Sequence, residues 1–382
     1  MRIAQVSPLF ESVPPKLYGG TERVVHFLTE ALIDLGHEVT LFASGDSQTR
    51  AELVACAPAA LRLDETCKDQ LARHVNMFES VFARANEFDV LHFHTDYLHF
   101  PLARRQPVAH VTTMHGRMDI PDYVPLFGTF AETPLVSISD AQREPLPDAN
   151  WIGTVYHGLP ADLYRPCLGR GKYLAVVGRV SPEKRMDRAV EIARRVGMPL
   201  KVAAKIDDKD RDYYESEIKP LFADPLVEFV GEIGESEKND FLGNAAAFLF
   251  PIDWPEPFGL VMIEAMACGT PVVAFRCGSI PEVMRDGVSG YVVDSLDAAV
   301  AATKRAVALP RDRVRAYFDR RFLAPRMARD YVTIYQELAA SARLRQGRGR
   351  TAFGLAAIDA DGDTDGAHAV EGLGGEAGVG MD

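Results

Sequence analysis

The chain has 382 residues, of which 47% are hydrophobic and 25% charged, and its formal net charge is −12. This length provides for two domains of ordinary size with a cleft between them, and the acidic balance argues against a general nucleic-acid binder. Five cysteines without a Cys-x-x-Cys pair favour neither a disulfide framework nor a zinc knuckle and fit a reducing cytoplasm. We expect no secretory signal. The sequence contains no run of about twenty apolar residues, so we expect no membrane-spanning helix.

Short β-branched runs alternate with longer amphipathic stretches, a pattern typical of parallel sheets with crossover helices. In the first half, the predicted strands are 2–7, 38–43, 89–94, 108–115, 135–139 and 151–157. After a loop at 165–172 the alternation starts again with YLAVVGR, LKVAAK, VEFVG, AFLFP, PVVAF and GYVVD. The restart predicts an α/β fold of two domains.

The composition also predicts where these domains end. We place the first domain at residues 1–168 and the second at 169–320, followed by a helix at 321–346 that closes the fold. Residues 347–382 are rich in Gly, Ala and Asp, and we expect them to be disordered because they cannot bury enough apolar surface. The arginine-rich stretch 311–350 is interpreted either as a solvated surface helix or as a docking face for an anionic acceptor or a membrane.

The strongest local pattern is DWPEPFGLVMIEAMACGTPVV, in which Glu256 and Glu264 flank the start of an apolar helix. Pro257 suits the first turn of that helix, where its missing N–H would be unpaired anyway. Gly259 lets a ligand approach the backbone, and the free N–H groups of the helix start would face an anion or sugar oxygens. The two carboxylates could then bind different parts of one extended ligand, such as a nucleotide-sugar. The plain alternative is a surface loop carboxylate and a locally bonded helix carboxylate.

A second pattern, VVGRVSPEKRMD, places Arg179 and Lys184 after a buried strand. Ligands bind at the carboxyl ends of strands in open α/β sheets, and two cations there suit a diphosphate. The alternative is that Lys184 and Arg185 are solvated charges at a helix start, where cations are mildly unfavourable without an anion.

A third pattern, KLYGGTERVV, follows the first strand. Gly19 and Gly20 allow a tight turn, Thr21 is predicted to cap the next helix, and the bare backbone can lie against a phosphate or a sugar. A plain turn explains the paired glycines equally well.

A histidine cluster lies in DVLHFHTDYLHF. His92 and His94 are two residues apart on a strand and face the same way, so they could share a metal with His99 or Asp96. We prefer ring-to-backbone bonds or acceptor contacts as the explanation. The Asp-x-Asp pair formed by Asp208 and Asp210 is expected to face solvent.

The segments GGTERVV, TTMHG, VSISDAQ, GRVSPEK and EPFGLVMIEAMACGTPVVA, in this order and spacing, resemble the retaining glycosyltransferases of family 4. The resemblance covers nearly everything from residue 1 to about 338 and implies the GT-B architecture, two doubly wound Rossmann-like domains that face a cleft. It also implies an enzyme of EC 2.4 type that moves a sugar from a nucleotide-diphosphate-sugar donor to an acceptor. The anomeric configuration would be retained, and neither a metal ion nor another cofactor would be needed.

The family pattern assigns donor contacts by position. The counterparts of Arg179 and Lys184 bind the donor diphosphate, and the glycine turn, here Gly19 and Gly20, approaches the donor phosphate and sugar. The counterpart of Glu264 binds the ribose.

The resemblance also points to groups near the transferred sugar. The counterpart of Glu256 binds that sugar together with the backbone at Phe258, Gly259 and Leu260. His115 resembles the active-site histidine of the family, so His115 and Glu256 are the catalytic candidates.

The chain departs from the family at HGLPAD, residues 157–162, where many members carry an Asn-Gly-Val-Asp stretch. Rival interpretations are a non-catalytic nucleotide-sugar-binding protein and an epimerase or phosphorylase of the same architecture. A nicotinamide dehydrogenase is disfavoured because no strand is followed by its glycine fingerprint. The acceptor is open between a saccharide, a lipid-linked molecule and a small molecule. A cytoplasmic location is expected, with peripheral membrane contact through the arginine-rich helix as an option.

Overall fold

The computed structural model describes residues 1–16 and 19–358. The strands are β1 (Arg2–Val6), β2 (Glu38–Ser44), β3 (Glu52–Ala57), β4 (Val90–Phe93), β5 (Ala109–Thr113), β6 (Leu135–Ser137), β7 (Trp151–Thr154), β8 (Tyr173–Arg179), β9 (Leu200–Lys205), β10 (Val227–Gly231), β11 (Ala245–Phe250), β12 (Val272–Phe275) and β13 (Gly290–Val293). The α-helices are α1 (Gly20–Asp34), α2 (Gln70–Ala83), α3 (Phe100–Ala103), α4 (Tyr123–Thr129), α5 (Met186–Val196), α6 (Arg211–Tyr213), α7 (Lys219–Phe222), α8 (Glu235–Gly243), α9 (Leu260–Ala267), α10 (Ile280–Val283), α11 (Leu296–Ala306), α12 (Arg311–Arg321) and α13 (Ala324–Ile358).

The strands form two parallel sheets, one in each half of the described chain. The first has seven strands in the order β3-β2-β1-β4-β5-β6-β7, and the second has six in the order β10-β9-β8-β11-β12-β13. In each sheet the order reverses beside the first strand, between β1 and β4 and between β8 and β11. Ligands of doubly wound sheets bind outside the carboxyl ends of the strands at this reversal.

The twelve predicted strands are all present, and β3 is an addition that the sequence pattern did not reveal. β3 lies at the edge of the first sheet, paired with β2 alone. Its sequence, ELVACA, is only partly buried. An edge strand with one covered face gives a weak hydrophobic pattern, which explains why the prediction passed over it.

The arginine-rich stretch from residue 311, which we interpreted as one surface helix in one of two alternatives, is divided between two helices, α12 and α13. The second returns to the first domain, where it packs on α1, β4 and β5. There Gln5 donates a hydrogen bond to the hydroxyl of Tyr335, and the hydroxyls of Tyr331 and Thr113 are hydrogen-bonded to each other. α13 continues to Ile358, past the predicted helix end at 346, and the rest of the predicted disordered tail lies outside the described residues.

Four arginines of the basic stretch form hydrogen bonds that stabilise the fold. Arg311, Arg315, Arg321 and Arg326 each donate to backbone carbonyl oxygens elsewhere in the chain, at 2.7–2.9 Å. Charge-assisted bonds to carbonyl groups stabilise the junctions between elements. These side chains therefore do not form the solvated surface that we predicted as one alternative. None of the helices in the described part is long and apolar enough to cross a membrane.

Candidate active site

A cleft of about 1000 Å³, including its open mouth, lies between the start of α1 in the first domain and the carboxyl ends of β8, β9 and β11 in the second. The start of α9 forms another wall. The predicted residues that line this cleft are Gly19, Gly20, Arg179, Lys184, Glu256, Gly259, Leu260 and Glu264. The structure thus brings together residues that lie up to 245 positions apart (264 − 19). His115 and Phe258 are not part of this lining.

Lys184 and Glu256 form a direct ion pair on the floor of the cleft. The Lys184 Nζ atom lies 2.7 Å from Glu256 Oε2, and both side chains are largely buried, at 17% and 15% exposed. Trp254 Nε1 donates to the same oxygen at 3.1 Å, and the ammonium group lies 5.1 Å from the Trp254 ring centroid. We predicted these two residues separately, one for the diphosphate and one for the sugar. A bound anion would therefore share Lys184 with Glu256.

Arg179 leaves the end of β8 and is surrounded by carboxylates. Its guanidinium nitrogens lie 3.3 Å from Asp207 Oδ2, 3.3 Å from Glu183 Oε1 and 3.8 Å from Asp210 Oδ2. The prediction that Asp210 faces solvent is wrong, because its side chain is 14% exposed and points towards Arg179. Asp208 does face solvent, with 95% of its side chain exposed.

Glu264 has a partner that the sequence did not reveal. Lys238 Nζ, from α8, donates to both carboxylate oxygens of Glu264, at 2.9 and 3.0 Å. The Glu264 side chain is only 3% exposed, so it would be costly to bury without this cation. The pair fixes the carboxylate against the wall of the cleft. Lys238 lies in the polar segment ESEKNDFLG, whose pattern gives no sign of this contact.

Glu235, at the first position of α8, joins the two domains across one side of the cleft. Arg23 of α1 forms an ion pair with Glu235, and the hydroxyl of Tyr164 also donates to it. Lys238 lies 3.5 Å from the same carboxylate. The first domain is thereby connected through Glu235 to the lysine that holds Glu264.

The paired glycines lie at the start of α1. Gly19 precedes the first residue of the helix, Gly20, and the helix start has no side-chain cap. Thr21 lies inside the helix, so its predicted capping role is wrong. A Cβ atom on Gly19 would lie 2.7 Å from Pro15 Cβ, which explains why a residue without a side chain is needed there. The bare backbone at Gly20 faces Leu260 across the cleft.

Gly259 precedes α9 with a φ of 78°, a conformation that L-residues with a side chain rarely adopt. A Cβ atom there would also lie 2.8 Å from Met262 Cε. Pro257 precedes the helix rather than forming its first turn, so that prediction is wrong. The ring of Phe258 is buried at this turn, and Gly259 and the first residues of α9, Leu260 and Val261, line the cleft.

His115 follows β5 and belongs to a group of stacked rings. Its Nε2 atom lies 2.8 Å from His94 Nδ1, and its ring stacks on His157 with centroids 5.4 Å apart. The His157 ring in turn meets the Phe258 ring at 4.7 Å. Burial lowers the pKa of His115 to about 3. His115 is therefore a neutral group that adjoins the turn before α9 through His157, a residue of the HGLPAD stretch where the sequence departs from the pattern that it resembles.

The remaining histidines of the cluster bond to side chains. His92 lies 2.6 Å from the hydroxyl oxygen of Tyr335 and 2.7 Å from that of Thr113, and His99 is held between two threonines. The predicted ring-to-backbone bonds are therefore wrong. Within residues 1–16 and 19–358, no three His, Cys, Asp or Glu side chains are arranged to hold a metal ion.

Two family profiles match different parts of the chain. Residues 18–143 match Glycosyltransferase Family 4, and residues 168–319 match Glycosyl transferases group 1. Together with the paired sheets and the cleft, these matches assign the chain to the GT-B class of glycosyltransferase folds. Within that class, the chain belongs to family 4.

Curated relatives and solved structures agree with this assignment. D-inositol 3-phosphate glycosyltransferase of Mycobacterium sp. (strain KMS) is 32% identical over 43% of this chain, and the match spans 39% of that protein's length. Alpha-maltose-1-phosphate synthase of Mycolicibacterium smegmatis is 25% identical over 83% of this chain and 92% of its own length. AviGT4, a glycosyltransferase involved in avilamycin A biosynthesis, superimposes with a TM-score of 0.69 at 25% identity and covers 89% of this chain and 98% of its own. The Anabaena protein HepE, solved in complex with UDP and glucose, shares the fold with a TM-score of 0.66 at 17% identity, over 88% of this chain and 100% of its own.

Proposed function

We propose that this protein transfers a hexosyl group from a nucleotide-diphosphate-sugar to an acceptor hydroxyl, with retention of configuration and without a metal ion. The observation that carries the proposal is the convergence of Arg179, Lys184, Glu256 and Glu264 on one cleft. This cleft opens at the reversal of strand order in the second sheet, where doubly wound folds bind nucleotides. A nucleotide-sugar has the extended shape that these four groups require.

The donor is expected to lie along the cleft in a defined direction. Its ribose would bind Glu264, which Lys238 holds in place, and its diphosphate would lie between Arg179 and Lys184. The transferred hexose would then contact Glu256 and the N–H groups that follow Gly259. The support for this order is the family pattern that assigns each contact, together with the presence of all these residues in the lining of one cleft.

The charge of the cleft favours a diphosphate leaving group. Among the described residues that line it, the basic side chains are Arg23, Arg179, Lys184, Lys205 and Lys238, and the acidic ones are Glu232, Glu256 and Glu264. Fixed positive groups in a partly enclosed site stabilise the negative charge that develops on the leaving diphosphate. They supply the compensation for which other enzymes use a divalent cation.

Retention follows from the family rather than from a residue spacing in this chain. The acceptor hydroxyl would enter on the face from which the nucleoside diphosphate leaves, and the departing phosphate would take the hydroxyl proton. No strong protein nucleophile is needed on this route, and His115 and Glu256 would position the sugar. Membrane contact through the arginine-rich helix stays a prediction.

The proposal is tested by screening a panel of nucleotide-sugars for thermal stabilisation of the full-length protein. A true donor at 100 times its dissociation constant adds about 2.7 kcal/mol to the free energy of unfolding. The stabilising donor is then incubated with sugars, polyols and their phosphates, including inositol phosphate and glucose 1-phosphate, and release of nucleoside diphosphate is measured. Acceptor-dependent release supports transfer. Binding without release under any condition would favour a sensor, and failure of all donors to bind would refute the proposal.

A further inference from the structure

A chain of hydrogen-bonded side chains runs through the first domain from His115 to the last helix. It joins His115 to His94, His94 to Gln5, Gln5 to Tyr335, and Tyr335 to His92, at 2.8, 2.8, 3.1 and 2.6 Å in turn. The last four residues are 0–2% exposed. Gln5 belongs to β1 and Tyr335 to α13, so the network joins the first strand to the last helix of the described polypeptide.

The amide of Gln5 determines which atom donates and which accepts at each hydrogen bond of this network. Its Oε1 atom lies 2.8 Å from His94 Nε2, and an amide oxygen only accepts, so His94 carries its proton on Nε2. In a neutral ring the Nδ1 atom is then an acceptor, and the Nε2 atom of His115 must donate to it. On the other side, the Gln5 amide nitrogen donates to the Tyr335 hydroxyl, whose own proton goes to His92 Nδ1.

These donor and acceptor assignments hold only while the histidine rings are neutral. Burial lowers the pKa of His92 and His94 well below the ordinary value and that of His115 to about 3. At neutral pH each ring therefore carries a single proton. The Nδ1 atom of His115 is left with a lone pair.

We propose that Gln5 and Tyr335 are positioning residues that hold His115 in the tautomer with its proton on Nε2, so that Nδ1 is available as an acceptor for a sugar hydroxyl. The role of Nδ1 rests on the proposed function, whereas the tautomer is a property of the ligand-free chain. The C-terminal helix thus contributes to the site through a residue 330 positions from its partner Gln5.

The tautomer is measured by ¹⁵N NMR of the full-length, ligand-free protein with ¹⁵N-labelled histidine, and the His115→Asn variant assigns the signals. We expect a proton on Nε2 of both His115 and His94 in the wild type. In Tyr335→Phe, the Gln5 amide loses its acceptor and can turn, so His115 should show both tautomers. Tyr331→Phe is the matched control, because its hydroxyl bonds Thr113 at 2.9 Å, at the far end of the chain. Its His115 signals should match the wild type.

Activity gives a second readout once a donor is known. Tyr335→Phe should lower kcat about tenfold, with a much smaller effect in Tyr331→Phe, since only the first loses control of the His115 proton. A proton on Nδ1 of His115 in the wild type would overturn the proposal, as would unchanged His115 signals in Tyr335→Phe. Equal losses of kcat in both variants would show a purely structural role. Wild-type protein without turnover would instead contradict the proposed function, and the NMR result would stand separately.

Discussion

The two sides of the cleft are built from different interactions. On the side of the second domain, paired charges dominate, as in Lys184 with Glu256 and Lys238 with Glu264. In the first domain, His115 lies behind the cleft lining, next to the turn before α9 through His157, and belongs to a neutral hydrogen-bonded chain of histidines and other polar side chains. The difference fits the proposed nucleotide-sugar donor, because its diphosphate carries charge and its sugar hydroxyls do not.

The paired charges also explain how an anion can be received. Without ligand, Arg179 and Lys184 are neutralised by nearby carboxylates, so neither cation lacks a partner. A diphosphate would add to these networks and draw the cations towards itself. The neutral side needs no such exchange, since a sugar hydroxyl would donate to the His115 Nδ1 atom, which carries a lone pair in the proposed tautomer.

Acidification should destabilise the fold through the neutral histidine cluster, and this loss in the free energy of unfolding is the largest effect that we expect. Burial lowers the pKa values of the cluster histidines, which are His92, His94, His99, His115 and His157. Below about pH 6.5 the unfolded chain binds protons on these rings and the folded chain does not, so the free energy of unfolding falls as pH falls.

The expected loss between pH 7.5 and 5.5 is about 1.4 kcal/mol for each histidine that stays neutral, or several kcal/mol in all. Urea unfolding at the two pH values measures it. The carboxyl of Glu22, whose pKa is raised by burial, acts in the opposite direction at lower pH, so the comparison stops at pH 5.5. Equal stability at both values would contradict a neutral network.

Substitutions on the charged side should produce the next largest effect. Arg179→Ala and Lys184→Ala each remove a charge-assisted contact with the diphosphate, and each should lower kcat/KM about ten- to a hundredfold. Arg195→Ala is the matched control, because Arg195 lies on α5 in an exposed pair with Asp297. Wild-type kcat/KM in both Arg179→Ala and Lys184→Ala would contradict the proposed diphosphate site.

A smaller effect should separate the ribose contact from the diphosphate contact. Lys238→Met keeps the aliphatic stem but leaves the buried Glu264 without its cation, so nucleoside diphosphate should bind about fivefold more weakly. Calorimetric titration measures the affinity. Lys201→Met, which removes an exposed pair with Glu228, should leave the affinity unchanged. An unaltered affinity in Lys238→Met would mean that Glu264 does not need its partner.

The sequence predicted the two sheets well because buried parallel strands leave continuous apolar runs. β8, YLAVVGR, is such a strand, and its position also placed Arg179. The edge strand β3 was missed because half of it faces solvent. Local chemistry at helix starts was predicted poorly: Thr21 and Pro257 are suitable residue types, but α1 begins at Gly20, before Thr21, and α9 begins at Leu260, after Gly259.

Partners within the site could not be predicted, because they come from distant positions. Lys238 reaches Glu264 from a different helix, and Tyr335 reaches Gln5 from the other end of the described chain. No sequence period links such residues. The cations and carboxylates were predicted to bind one ligand, whereas the ion pairs between them depend on how the loops and helices of the second domain pack.

The central claim is that protein cations, rather than a metal ion, meet the charge of the leaving diphosphate. The most direct test is release of nucleoside diphosphate with the best donor and acceptor, measured in excess EDTA and in magnesium or manganese. The cations that line the cleft predict equal rates in the two conditions. A collapse in EDTA that is rescued by adding the ion back would contradict this account.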